Sequence, residues 1–183
     1  MELANHFLLS MPTLEDPNFQ RTLTYICEHS DQGAMGLVVN RALSVTVGEV
    51  LHHLDIEPES PAIANEPVYQ GGPVETERGF VLHTPVGSWE GSIALTDELA
   101  VTTSRDILEA MARGAGPAHA LIALGYSGWA AGQLEAEVGD NAWLTCPASL
   151  DLLFHTPPDQ RLDRAAARIG IDLDLLSSGA GHA

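Results

Sequence analysis

The sequence predicts a single α+β domain. Two observations carry that expectation: short apolar runs of strand length recur along the chain, and helical periodicity is confined to a few segments. The two kinds do not alternate strictly, which argues against a doubly wound parallel sheet. The length, 183 residues of which 45% are hydrophobic, suffices for one core and places one domain over 1–183. Glycine and proline are dispersed, with no linker, internal repeat or low-complexity segment.

HFLLSM (6–11) is a short buried strand stopped by Pro12, and PTLEDPNF after it is turn-rich. RTLTYICEH (21–29) and MGLVVN (35–40) flank the loop SDQGA and predict a hairpin over 21–40. TVGEVLHHL (46–54) sets Thr46 and Glu49 in capping-box spacing and predicts a helix. VYQGG and GFVLHT supply two further strands, and SIALT (92–96) a weaker one. TSRDILEAMARG (103–114) predicts a helix, with Thr103 and Asp106 at its start and Gly114 and Pro117 at its end. ALIALGY (120–126) is a strand that feeds GYSGWAAGQLEAEVGDNAWL, where Gly125, Gly128 and Gly132 predict a sharp reversal. AWLT is another strand and SLDLLF (149–154) a short helix. TPPDQRLDRAAARIG predicts a longer helix, with Thr156 as N-cap, Pro157 at the first helical position and Gly170 at the exit. The sum is roughly six or seven strands and about four helices.

Charge excludes several chemistries. Acidic residues number 25 against 8 basic ones, a formal net charge of −17, and every basic residue is an arginine. Without lysine there is no motif lysine for a phosphate loop, no Schiff base and no lysine general base. Arg161, Arg164 and Arg168 read as one helical face, but Asp159 and Asp163 interrupt it, a poor footprint for a phosphate backbone. The N-terminus MELANHFLLSMP has no basic region and only a four-residue apolar run, and no stretch is long and apolar enough to span a bilayer. Cys27 and Cys146 are too few for a disulfide framework and read as free thiols in a reduced cytoplasm.

The chemistry-bearing motifs all have a simpler structural reading. Gly125-Tyr126-Ser127-Gly128-Trp129 resembles a nucleophile elbow, but the indole occupies a position that needs a small residue. Glu28 and His29 are neighbours on a strand and point to opposite faces. No local metal motif is present, and long-range pairs such as His29 with His83 are all that a metal could use. Cys27, mid-strand beside Glu28, reads as a buried and unreactive thiol. In YQGGPV the glycines make either a backbone-amide anion nest or an ordinary tight turn.

Three long stretches, HFLLSMPTLEDPNFQRTLTYICEHSDQGAMGLVVNR, VYQGGPVETERGFVLH and LGYSGWAAGQLEAEVGDNAWL, with the tail IGIDLDLLSSGAGHA, resemble the AlgH/YqgE family of bacterial proteins. The resemblance runs essentially the whole length. It implies a bent or bifurcated mixed β-sheet surrounded by helices, in a cytoplasmic protein without an established catalytic activity. Family members are often labelled transcriptional regulators, a label at odds with the acidic, lysine-free composition and the lack of a helix-turn-helix signature. At the Ser127 position the family commonly has alanine, which removes the nucleophile reading.

The glycine-rich stretch then reads as a corner locked by Trp129 and Trp143, whose indole N–H groups find acceptors among Gln133, Glu135, Glu137 and Asn141. A sharper reading makes it one wall of a polar face. The other walls are Arg21, Glu28, His29, Asn40 and Arg41 on the hairpin and Gln70, Gly71 and Gly72 in the turn, facing Gln133 and Glu135. The leading function is a non-enzymatic regulatory or binding protein that engages a small ligand or a protein partner there. The alternative is an enzyme, a hydrolase or a nucleotide-directed activity, built on His29 with Glu28 or Glu135. Direct DNA binding is third. No cofactor, metal or membrane is expected; the ligand, the partner and the oligomeric state are not specified by the sequence.

Overall fold

The computed structural model describes residues 1–180, and of Ser177–Ala180 the backbone alone. The last three residues of the family-like tail, 181–183, lie outside the described residues. The strands are β1 (His6–Ser10), β2 (Leu23–Ser30), β3 (Gly33–Val38), β4 (Ala42–Thr46), β5 (Pro67–Gln70), β6 (Val74–Thr84), β7 (Ile93–Ala94), β8 (Ala100–Thr102), β9 (His119–Ala130) and β10 (Trp143–Pro147). The helices are α1 (Val47–His53), α2 (Pro61–Ala64), α3 (Arg105–Ala112), α4 (Gln133–Gly139), α5 (Leu150–Phe154), α6 (Pro158–Arg168) and α7 (Leu173–Ala180). No described helix is long and apolar enough to cross a membrane.

The strands form one curled sheet, a half-barrel in the order β10-β1-β2-β3-β9-β6-β8-β7, with β4 and β5 branching off. The branch point is β9. Its C-terminal half pairs antiparallel with β3, Gly33 opposite Ala130 and Gly36 opposite Ser127. Residues 122–124 pair instead with β5, in parallel, while β6 runs antiparallel along the opposite edge. One edge of β9 is therefore shared by two strands, and the sheet is both bent and forked, as the resemblance implies.

Gly71 and Gly72 sit in the fork. The Gly71 N–H donates to the Leu124 carbonyl, and the Gly71 carbonyl accepts the Val38 N–H. A Cβ on Gly71 would lie 2.3 Å from the Gly125 carbonyl oxygen, and one on Gly72 2.2 Å from Tyr126 backbone atoms. Only glycine lets the chain pass so close to β9. Both are buried, so they offer no anion nest to solvent.

Strand alternation divides the apolar residues between the two faces of the sheet. Leu9, Tyr25, Leu37, Leu82 and Ala123 point to one face, where Leu152 and Leu153 of α5 and Leu162, Ala165 and Ala166 of α6 close the main core. On the other face Val68, Val81 and Ile122 meet Val47 and Leu51 of α1 and Ile107 of α3. Further along that side, Leu8, Ile26, Trp129 and Trp143 pack with Leu134 of α4. Fully burying each such large apolar side chain is worth about 1.5–3 kcal/mol relative to leaving it exposed.

Several expectations need correction. β9 does not reverse at Gly125; it continues to Ala130, and the turn falls at Gly132, which has φ +77° and precedes α4. Pairing with β6 on either side of Gly125 and with β3 across Gly128 carries the strand through the glycines, a long-range effect that local composition does not contain. Thr156 does not cap α6, whose N-cap is Pro157; its hydroxyl donates to the Asp151 carbonyl. Arg161 does not share an exposed face with Arg164 and Arg168, for it is 4% exposed. Its guanidinium donates to the Thr156 and Val39 carbonyls and lies 5.1 Å over the Tyr69 ring. The hairpin over 21–40 and the Thr46–Glu49 capping box are present as read.

Candidate functional site

The polar residues of the hairpin are mostly engaged in internal contacts. Arg41 donates to the carbonyls of Pro17, Asn18 and Gln20 at 3.2, 3.0 and 2.8 Å, which pins the turn-rich 12–20 segment. Asn40 accepts the Leu23 N–H at 2.8 Å and donates to the Arg21 carbonyl at 3.0 Å, bridging β2 to the end of β3. The half-buried Gln70 joins the same frame through its backbone N–H, bonded to the Arg41 carbonyl at 2.9 Å. Arg21 and Glu28 remain exposed.

His29 and Glu135 do meet, through Nε2 and Oε1. The imidazole is 3% exposed, and its Nδ1 accepts the Leu3 N–H at 2.9 Å, so the ring hydrogen sits on Nε2 and is donated to the carboxylate. With both nitrogens occupied, His29 has no free lone pair for general-base chemistry. Glu28 points away on the exposed face of β2. His83 is equally closed, with Nδ1 3.0 Å from the Pro85 carbonyl and Nε2 2.7 Å from the Thr102 hydroxyl, and burial lowers its pKa. A shared metal between His29 and His83 has no nitrogen to use.

The bond from His29 holds the Glu135 carboxyl below its ordinary value of 4.5. Because the folded-state value is depressed, the stabilisation is complete above 4.5 and is lost as pH falls through the folded value. Acidification through that range is expected to destabilise the wild type more than Glu135→Gln. Urea unfolding at neutral and acid pH reads this; equal losses in the two proteins would remove the assigned contact.

The two tryptophans share one acceptor. The Trp129 and Trp143 indole N–H groups both donate to Glu137 Oε1 at 3.0 Å, and Gln133 donates to Oε2 at 2.9 Å while accepting the Ala130 N–H. Phe19 packs on both indoles, with ring centroids 6.0 and 5.5 Å away. Gln133 thus braces the Glu137 clasp. Ser127 is buried and donates to the Gly71 carbonyl across the fork at 3.2 Å. Burial, reinforced by Glu28, pushes the Cys27 thiol up to about 12, so it is unreactive near neutral pH.

A separate opening lies between α1 and α3. It is a groove of about 790 Å³. Its floor is apolar: Val45 from β4, Val50 and Leu54 beside α1, Val81 from β6, Leu108 from α3, and Ile122 and Leu124 from β9. Its rim is polar, with Glu49 and His53 from α1, Thr76 and Glu77 from β6, and Thr103, Ser104 and Arg105 where β8 turns into α3. Asp106 fixes that turn by accepting the N–H groups of Glu90 and Ile107 and the Ser104 hydroxyl. The Glu90 N–H first, then the Ser104 hydroxyl, lower its carboxyl pKa. Sequence reading did not assemble this groove, because four separate stretches build it. One signal was available: Gly79 is a lone glycine inside a strand, and it sits at the β6–β9 register shift that borders the groove.

A curled, forked half-barrel with helices packed on it defines an α+β domain. Its sequence matches the AlgH-like family model over residues 7–174. The chain belongs to the AlgH-like family. A UPF0301 protein of Thioalkalivibrio sulfidiphilus is 60% identical, over 98% of this chain and 96% of its own. The UPF0301 protein AlgH of Pseudomonas aeruginosa is 53% identical over 99% and 96%. The solution structure of AlgH from Pseudomonas aeruginosa superposes with a TM-score of 0.82, covering 100% of this chain and 97% of that one at 53% identity. A crystal structure of a Corynebacterium diphtheriae protein, at 21% identity and TM-score 0.74 over 97% and 92%, shares the fold.

Proposed function

We propose that the protein is a non-enzymatic binding protein that holds a small organic molecule with an apolar body in the α1–α3 groove. The observation that carries this reading is the groove itself: about 790 Å³, with an apolar floor and a polar rim of comparable extent. Sites for small molecules have this size and join an apolar lining to polar groups that fix orientation. The hairpin face supports the reading by contrast, since its polar groups are largely spent on one another and on backbone carbonyls. A regulatory role would follow from ligand occupancy rather than from contact with DNA. Of the eight arginines, Arg161 is buried, Arg41 is held by carbonyls, and Arg78, Arg105 and Arg168 are paired with carboxylates. A cytoplasmic location fits the two free cysteines.

Gly79 supplies the test. A Cβ built there meets nothing closer than Leu124 Cδ2 at 3.9 Å, so Gly79→Leu enters the groove without a backbone clash. A thermal-shift screen of metabolites against wild type is expected to find stabilising compounds, worth about 2.7 kcal/mol at a hundredfold excess over Kd. Gly79→Leu is expected to stay within a few degrees of the wild-type Tm and to lose those shifts. Equal shifts in the variant would place the ligand outside the groove and overturn the proposal.

A further inference from the structure

The groove has an electrostatic polarity that narrows its ligand. Glu77 on β6 is exposed and has no hydrogen bond or ion pair among the described residues. Glu49 on α1 spends one oxygen on the Thr46 N–H and meets no cation. Ser104 donates its hydrogen to Asp106, which leaves only lone pairs on its oxygen to offer. The rim's one permanent cation, Arg105, is already paired along its own helix, with Nε 2.8 Å from Glu109 Oε1. His53, Thr76 and Thr103 complete the rim and can either donate or accept when neutral.

Resting on the groove reading above, we infer that the ligand carries a protonated amine on its apolar body. The carboxylates of Glu49 and Glu77 line the same groove, neither paired with a cation among the described residues, and an ammonium group supplies the charge they lack; Ser104, on the same rim, can only accept. A carboxylate or phosphate ligand would meet an Arg105 whose charge is already shared with Glu109, and would approach two unpaired carboxylates. The body of the molecule acts the same way at long range, because a net charge of −17 draws cations toward an acidic cleft and repels anions.

An isosteric series tests this: phenylbutylammonium, phenylbutanol and phenylbutanoate, titrated into the whole protein and followed by the NMR methyl signals of Val50, Leu54, Val81 and Leu108. The ammonium compound is expected to bind about tenfold more tightly than the carboxylate, with the alcohol between. Glu49→Gln with Glu77→Gln should shrink that preference several-fold; glutamine retains the capping-box role at position 49. Carboxylate binding as tight as ammonium binding, or a preference unmoved by the double variant, overturns the amine inference and leaves the groove standing. No response at these methyls to any of the three overturns the groove reading, and the inference with it.

Discussion

Trp143→Ala is expected to cost about 3–5 kcal/mol, a large part of the roughly 5–15 kcal/mol that stabilises a domain. The side chain is 3% exposed, lies 5.5 Å from Phe19 and 6.1 Å from Trp129 by ring centroid, and donates its N–H to Glu137. Truncation removes that apolar area from the core, opens a cavity beside α4, and leaves Trp129 without its edge-to-face neighbour. For a chain of this size the Tm is expected to fall by roughly 10–15 °C, or soluble expression to be lost. Glu137→Gln makes a graded contrast. Its amide oxygen still serves the indoles, but its NH₂ meets the Gln133 NH₂, a loss of about 1 kcal/mol. A Trp143→Ala protein that melts like wild type would mean that the corner is a recognition surface rather than part of the core.

Arg161→Ala is expected to cost about 2–4 kcal/mol by thermal or urea unfolding. Two opposing effects set that figure. Removing a buried cation relieves its desolvation cost, and among the described residues no carboxylate compensates it. Against that, the guanidinium satisfies the Val39 and Thr156 carbonyls and stacks on Tyr69, tying α6 to the strands that flank the fork. Orphaning two buried carbonyls outweighs the relief. Arg161→Met, which keeps much of the stem but none of the donors, is expected to lose nearly as much. A Met variant as stable as wild type would show that packing, rather than the carbonyl contacts, is what Arg161 provides.

The parts of the fold legible in the sequence are those set by neighbours in the chain. The 21–40 hairpin, the Thr46–Glu49 box, the Gln133–Glu137 spacing on α4 and the Gly170 exit are all local chemistry, and all are present. The forked sheet came from the family resemblance rather than from periodicity. β4 and β8, five and three residues long, are not legible because so short a strand is defined by its partners. The length of β9 is not legible for the same reason: Gly125 and Gly128 read as breakers until β6 pairs on either side of the first and β3 across the second. The candidate site was the least legible. His29, Asn40, Arg41 and Gln133 are polar residues, yet their partners are backbone groups and the carboxylates of Glu135 and Glu137. The groove is written in valines and leucines whose exposure depends on how α1 and α3 stand apart.

The account therefore turns on which face a ligand chooses. A compound that stabilises the protein should be mapped by NMR on isotopically labelled wild-type protein, reading both faces in one spectrum. The prediction is that signals of Val50, Leu54, Gly79, Val81 and Leu108 move with saturation, while those of Arg21, Glu28 and Glu135 stay in place. Movement confined to Arg21, Glu28 and Glu135, with the groove signals unchanged, would contradict it.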